Sequence, residues 1–446
     1  MKIVIVGAGE VGGHLARMLS GSEHDITVVD SDAKQLEAVS EVSDVVTIEG
    51  DPATFATLKR ASVRKADLVI AVHQEENINI LSAVLAKQTG AKKAIARIDN
   101  NEYLEPGNRE VFLGMGIDYL FYPEKTAAEE VINLLGHTAT TDYMDFSGGR
   151  MSLVVFRPSA ESPLVERSML EIAPDPARLN YRIVAIARGE ETIIPHGDDR
   201  VYVGDTVYVV APAGFVPEVQ KLSGRKAFDI RSMMILGGSR IGVQIAAALQ
   251  EHIDIKLVEY KSDEAYRLAE LLDKTLIINA DGRNIDAMME EGINRMDAFV
   301  AVTSRAETNI LTAMLAKKLG VKKVIAEVEN LNYIALAESI GIDTVINKKL
   351  LTASNIYRFT MNTDVQAVKI LTGTSAEVLE FIVKPGSPAT HAPVRELGFP
   401  AEATIGGIVR GGQVVMAVGD TRIVAYDRVV VFTKPGARAY VGKFFN

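Results

Sequence analysis

The segment NILSAVLAKQTGAKKAIA, starting at Asn79, returns as NILTAMLAKKLGVKKVIA at Asn309; 12 of the 18 positions are identical and the numbering offset is 309 − 79 = 230. The same offset relates Gly7 to Gly237, Asp51 to Asp281 and Tyr103 to Tyr333. A repeat this long constrains the fold more than any single motif, because both copies must satisfy one backbone pattern. A second repeat follows the first: Gly197, Asp198, Arg200 and Asp205 pair with Gly419, Asp420, Arg422 and Asp427 at one common offset (419 − 197 = 222), and Ser162-Pro163 resembles Ser387-Pro388. The order is A–B–A′–B′, with domains expected at 1–137, 145–224, 230–352 and 366–446. With 446 residues, the chain has room for such a set at about 150 residues or fewer per domain. Linkers are expected at TATTDYMDFSGG (138–149) and RFTMNTDVQ (358–366).

Within A, short apolar strands alternate with segments of helical spacing. KIVIVGAG, DITVVD, DVVTIEGD, ADLVIAV and KAIARI read as strands. Between them, EVGGHLARMLS places Val11, Leu15 and Leu19 on one helical face, and AKQLEAVS and TFATLKRA also read as helices. NINILSAVLAKQTG is expected to place Ile78, Leu81, Val84 and Leu85 on one apolar face and to stop at Gly90. Strand–helix alternation with short connections predicts right-handed βαβ units and a doubly wound parallel sheet. In B, alternating runs such as RVYVGDTVYVV and RIVAYDRVVVF, with Gly and Asp at the turns, predict antiparallel strands in a small α+β unit.

The first strand of A runs into Gly7-Ala8-Gly9-Glu10-Val11-Gly12 and then a helix. In that setting the first glycine permits a tight turn, the second lets a pyrophosphate approach the backbone, and the third allows close helix–strand packing. Free N–H groups at the helix start hold the phosphates. Asp30 ends the second strand, downstream of Gly12 at the spacing this motif uses for an acid that accepts hydrogen bonds from ribose hydroxyls; an acid there favours NAD over NADP. Ligands in such sheets lie at the carboxyl ends of the strands, where Asp51, His73, Gln74 and Arg97 also fall. Asp51 is equally readable as a helix N-cap before PATF, His73 as a loop residue beside the cofactor, and Arg97 as a pyrophosphate contact or a surface ion pair.

The second loop, Gly237-Gly238-Ser239-Arg240-Ile241-Gly242, keeps the outer glycines but puts a side chain at the phosphate approach. Glu259 stands for Asp30, Asp281 for Asp51, and Thr303 and Ser304 for His73 and Gln74. Glu10 becomes Arg240 while Arg97 becomes Glu327, an exchange of charge which suggests that the two positions face one another across each cleft. A cation beside the second loop suits a polyphosphate such as ATP or ADP; the alternative is a structural remnant.

A net charge of −10 without basic blocks argues against a nucleic-acid surface. No apolar run approaches the roughly 18 residues of a membrane span. With 0 cysteines there are no disulfides, thiolate metal sites or cysteine nucleophiles, and no metal site is expected. A dehydrogenase needs an acid or base presented to the nicotinamide, yet His137, His196 and His391 are isolated and His196 becomes Val418 in the second copy. No catalytic residue is assigned. An NAD-dependent oxidoreductase of saccharopine-dehydrogenase-like type and the regulator of a cation antiporter are the alternative readings.

IVGAGEVG, VVD ending at Asp30, EGD ending at Asp51, ARIDN at Ala96 and GIDYLFYPE at Gly116, followed by B, resemble the RCK family (regulator of K⁺ conductance) over essentially the whole chain. The doubled layout is similar to the soluble regulators of bacterial Trk potassium uptake. The resemblance implies two Rossmann-like domains, each followed by a small α+β RCK C-terminal domain. It implies NAD or NADH in the A clefts, with ATP or ADP a candidate at the second. It implies a homotetramer, a ring of about eight RCK units, on a TrkH-like membrane subunit at the cytoplasmic face of the inner membrane. Carried over by motif, the first site is Gly7, Ala8, Gly9, Glu10, Val11, Gly12, Asp30, Asp51, His73, Gln74 and Arg97. The second is Gly238, Ser239, Arg240, Ile241, Gly242, Glu259, Asp281, Thr303, Ser304 and Glu327. The A-to-B linkers are the expected hinges, and the helix after YPEKTAAEEVINLL is expected to carry strain from the cleft to the neighbouring subunit.

Overall fold

The computed structural model describes residues 1–20, 24–173, 180–189, 191–360, 365–371, 374 and 376–445. The second expected linker, 358–366, lies partly outside them. The first half begins β1 (Lys2–Val6), α1 (Glu10–Ser20), β2 (Asp25–Asp30), α2 (Ala33–Ser40), β3 (Val46–Glu49) and α3 (Phe55–Arg60). It continues through β4 (Leu68–Ala71), α4 (Glu76–Thr89), β5 (Lys93–Arg97), α5 (Pro106–Gly114), β6 (Tyr119–Phe121) and α6 (Pro123–Gly136). An antiparallel module follows: β7 (Asp142–Phe146), β8 (Met151–Phe156), α7 (Met169–Ile172), β9 (Arg182–Arg188), β10 (Glu191–Ile193), β11 (Thr206–Pro212) and α8 (Val216–Lys221). The second half opens with β12 (Ser232–Leu236), α9 (Arg240–Leu249), β13 (Asp254–Glu259), α10 (Ser262–Leu271), β14 (Leu276–Asn279) and α11 (Ile285–Glu290). Next come β15 (Ala298–Ala301), α12 (Ala306–Lys318), β16 (Lys323–Glu327), α13 (Ile334–Ser339), β17 (Thr344–Ile346) and α14 (Lys348–Tyr357). The last module holds β18 (Val365–Ile370), β19 (Glu377–Ile382), β20 (Ala403–Arg410), β21 (Gln413–Met416), β22 (Arg428–Thr433) and α15 (Arg438–Phe444).

The two A sheets run β3-β2-β1-β4-β5-β6 and β14-β13-β12-β15-β16-β17, all parallel. Leu68, Val69, Ile70 and Ala71 are all buried, as helices on both faces of a parallel sheet require. The order reverses beside β1 and beside β12, which opens a crevice at the carboxyl ends of the strands. The B sheets run β10-β9-β11-β8-β7 and β18-β19-β22-β20-β21 and are antiparallel.

Two expectations need correcting. On α4 the buried residues are Asn79, Ser82, Ala83 and Ala86, while Leu81 is 47% exposed. Val84 and Leu85 are half-buried and pack against the core as expected, but the closest approach to the sheet leaves room only for small side chains, and Leu81 falls on the outer face. The helix does end at Gly90, whose φ of +116° suits glycine. The first expected linker, 138–149, is largely structured: Asp142–Phe146 forms β7, and Gly148 and Gly149 make the tight turn into β8.

By packing, the chain divides into one unit of 1–127 and 348–360 and another of 128–347 and 361–446. Within the first, α14 lies against α1 although it follows the second A sheet in sequence, and Phe359 packs against Tyr119 with ring centroids 5.1 Å apart and the planes inclined at 43°. Within the second, the two B sheets share a core in which Phe146, Met151, Val184 and Tyr208 meet Leu371, Val378, Val430 and Phe432. Gly406 permits their close approach, because a Cβ there would lie 3.1 Å from Val210. No helix among the described residues is long and apolar enough to cross a membrane.

Candidate functional site

The first loop is built by three glycines with different jobs. Gly7 has φ +100°, and a Cβ on it would fall 2.7 Å from the His73 nitrogen. A Cβ on Gly12 would fall 1.8 Å from the Gly7 carbonyl oxygen, so both positions are closed by the fold. At Gly9 an added Cβ meets only Gln35 Oε1 at 3.5 Å and Gln74 Nε2 at 4.0 Å. Gly9 immediately precedes α1 and has no side chain to cap it. The helix thus presents its first N–H groups, with their partial positive charge, beside an open backbone. A diphosphate fits this cradle.

Asp30 is 3% exposed at the end of β2. Its Oδ2 accepts from the Ala8 N–H at 2.6 Å and its Oδ1 from the Asp32 N–H at 2.9 Å. The acid therefore braces the loop, and each carboxylate oxygen retains capacity for a ribose hydroxyl. After β4, the Asn79 side chain accepts from the His73 N–H at 2.7 Å and donates to the His73 carbonyl at 2.9 Å. Asn79 is fully buried and pins this loop from α4. Sequence reasoning passed over it, although an asparagine heading the strongest stretch of the repeat was a visible signal. Gln35 was also missed.

The remaining residues divide. Gln74 is exposed beside Gly9. Asp51 accepts from the Ala53 N–H at 2.8 Å, while the cap of α3 is Thr54, so Asp51 stabilises a turn instead of the helix end. Arg97 is no surface ion pair: its side chain is 16% exposed and lies 3.2 Å from Asp99 and 3.5 Å from Glu124. Glu10 is paired with Lys349 of α14 at 2.9 Å.

The second loop copies the frame and changes the chemistry. Glu259 accepts from the Gly238 N–H at 2.8 Å and from the Lys261 N–H at 2.8 Å, as Asp30 does in the first. Asn309 repeats Asn79, accepting from the Thr303 N–H at 2.9 Å. Ser239 occupies the cap of α9, and its hydroxyl accepts from the Gly242 N–H at 3.3 Å. One donor that an anion would use is thus already engaged. A Cβ on Gly238 would fall 2.4 Å from Leu268, so that glycine serves packing. Arg240 and Ser304 are exposed, Ile241 and Gly242 are buried, and Glu327 is 4% exposed at the end of β16. Asp281 makes a two-pronged pair with Arg283, which holds its carboxyl below the usual range.

These features define a class: a doubly wound domain with a dinucleotide-type loop, followed by an antiparallel module, the pair written twice. Residues 3–123 and 233–348 match the TrkA-N domain, and residues 153–224 and 378–446 match the TrkA-C domain. The chain belongs to the TrkA family. It is 32% identical to Trk system potassium uptake protein TrkA homolog 1 of Methanosarcina mazei, over 100% of both chains. It is 31% identical to Trk system potassium uptake protein TrkA of Halomonas elongata, over 97% of this chain and 95% of that one. The fold matches the crystal structure of the GsuK RCK domain with a TM-score of 0.61 at 16% identity, covering 100% of this chain and 94% of that one. It also matches the GsuK channel bound to NAD, with a TM-score of 0.62 at 15% identity over 100% and 78%.

Proposed function

We propose that the chain is an NAD(H)-binding regulatory subunit of a potassium-uptake system and has no catalytic role. The relatives named above are potassium uptake proteins, and one structural neighbour is a channel bound to NAD. The observation that carries the reading is the contrast between Gly9, an open approach to an uncapped helix, and Ser239, which caps its own. The first loop takes NAD(H) through Gly7, Ala8, Gly9, Val11, Gly12, Asp30 and Gln74. The second binds NADH more weakly and draws ADP or ATP through Arg240. The division into 1–137, 145–224, 230–352 and 366–446 gives each loop its own following module. Four chains would form the ring on a TrkH-like membrane partner at the cytoplasmic face of the membrane. Nucleotide shifts the ring only by its difference in affinity between two shapes.

Calorimetric titration with NADH, NAD⁺, ATP and ADP tests this on wild type, Gly9→Ala and Arg240→Ala. The added methyl in Gly9→Ala makes only ordinary contacts, so folding is retained. NADH affinity should fall by at least about tenfold, the loss expected when a close backbone–phosphate contact is forced open. Arg240→Ala should reduce only the ATP or ADP signal. Binding of none of the four nucleotides to wild type refutes the proposal.

A further inference from the structure

The first nucleotide loop carries an acid where phosphates must approach, and the fold answers it with a base from the other half of the chain. Glu10 is the first residue of α1, next to Gly9, with its side chain 66% exposed. Lys349, the second residue of α14, places its Nζ 2.9 Å from Glu10 Oε2. The Lys349 side chain is only 16% exposed, so it lies along protein surface before its ammonium reaches the loop. The same ammonium acts one turn along α1: His14 is held below the usual histidine range, chiefly by burial, then by Arg17 and by Lys349. Lys349 therefore stands over the N-terminal turns of α1 and not out in solvent.

The repeat shows that this pair is specified. Aligning Gly341 with Gly116 (341 − 116 = 225) sets Lys349 opposite Glu124, and the loop offset (240 − 10 = 230) sets Glu10 opposite Arg240. Each half by itself carries like charges at the two positions, Glu10 with Glu124 and Arg240 with Lys349. For the first loop the complementary charge comes from α14, a helix of the opposite half. α14 seated on α1 is that arrangement for the first loop.

We infer that Lys349 is a ligand-positioning residue of the first nucleotide site, a cation held ready by Glu10 that turns to the nucleotide's phosphates when they arrive. The inference rests on the nucleotide reading given above. The Glu10 carboxylate neutralises the ammonium before binding, and a pyrophosphate offers it a stronger, doubly charged partner. Occupancy would thereby pull on α14, the helix that precedes the last module in the chain.

The test is calorimetric titration of the full-length chain with NADH at several salt concentrations, with thermal unfolding recorded in parallel. The variants are Lys349→Gln, Lys349→Arg, Glu10→Gln and Lys349→Gln/Glu10→Gln. Lys349→Gln should weaken NADH about tenfold and flatten the salt dependence, since it removes one charge-assisted contact and leaves Glu10 facing the phosphates. Lys349→Arg should restore most of the affinity, and Glu10→Gln should bind NADH at least as tightly as wild type. The double variant should fall between Lys349→Gln and wild type. If NADH binds wild type and Lys349→Gln with equal affinity and salt dependence, the inference is overturned while the nucleotide reading stands. If NADH fails to bind wild type, both are overturned.

Discussion

Lys323 begins β16 and is 1% exposed, yet its equivalent in the first half, Lys93, is exposed. The buried ammonium donates to the Thr140 carbonyl at 2.6 Å and lies 3.4 Å from Thr344 Oγ1. Burial pushes it down from the ordinary lysine value of 10.5 to about 8, with Asp343 opposing the shift. A base whose folded pKa is depressed binds fewer protons folded than unfolded across the interval between the two values. Its contribution is thus most favourable above about 10.5 and is lost as pH falls through about 8. The shift amounts to about 3 kcal/mol of burial cost at neutral pH. Lys323→Met should stabilise the chain at pH 7 by about 1–2 kcal/mol, after about 1 kcal/mol is lost at the Thr140 carbonyl. It should also abolish the rise in stability between pH 8 and 10.5, measured as denaturant midpoint against pH. A pH-independent difference between the two proteins would contradict this account.

At the scale of one helix, α4 tests where packing is tight. Ser82 is fully buried against the sheet, whereas Leu81, its immediate neighbour, is 47% exposed. Ser82→Leu should cost about 1–3 kcal/mol because the close-packed interior has no volume for it. Leu81→Gln should stay within about 0.5 kcal/mol in an isolated chain. Urea unfolding of the two variants decides the matter, and a reversed order of effects would restore the face first read from the apolar spacing. That spacing misled at Leu81 alone, since Val84 and Leu85 do pack against the core: helical periodicity reports hydrophobic residues, while the most closely packed positions of α4 take small ones. The strands were legible for the opposite reason: covered on both faces, they must be apolar throughout.

Across the larger packing unit, one buried cation joins three elements. Lys369 on β18 lies 2.8 Å from Glu130 on α6 and 2.6 Å from Asp142 on β7, and it donates to the Tyr143 carbonyl at 3.1 Å. Burial and the neighbouring Asp142 push Glu130 up to about 7 against the pull of Lys369, and the two acids hold Lys369 above the lysine range. Removing the cation strands two carboxylates in the interior. Lys369→Met should cost about 3–5 kcal/mol, and adding Glu130→Gln and Asp142→Asn should recover most of it. Equal unfolding midpoints for the single and triple variants would show that the charges do not constitute a unit. The role of Lys369 was invisible in the sequence, since both of its acidic partners belong to the first half of the chain, far beyond the reach of any local pattern.

The sequence by itself determined the A–B–A′–B′ order, the parallel and antiparallel sheets, the glycine loop and its acid at Asp30. These follow from local spacing, backbone sterics and a repeat that can be counted. Only the tertiary structure decided that Ser239 caps its helix, that Arg97 sits in a largely buried ion-pair cluster, and that Lys349 answers Glu10. It alone separated Lys323 from Lys93, two residues in the same repeat position with opposite solvation. The physical reason is common to all of them: a side chain's charge state and partner depend on what is packed over it, and the repeat specifies each element without saying which other element will cover it.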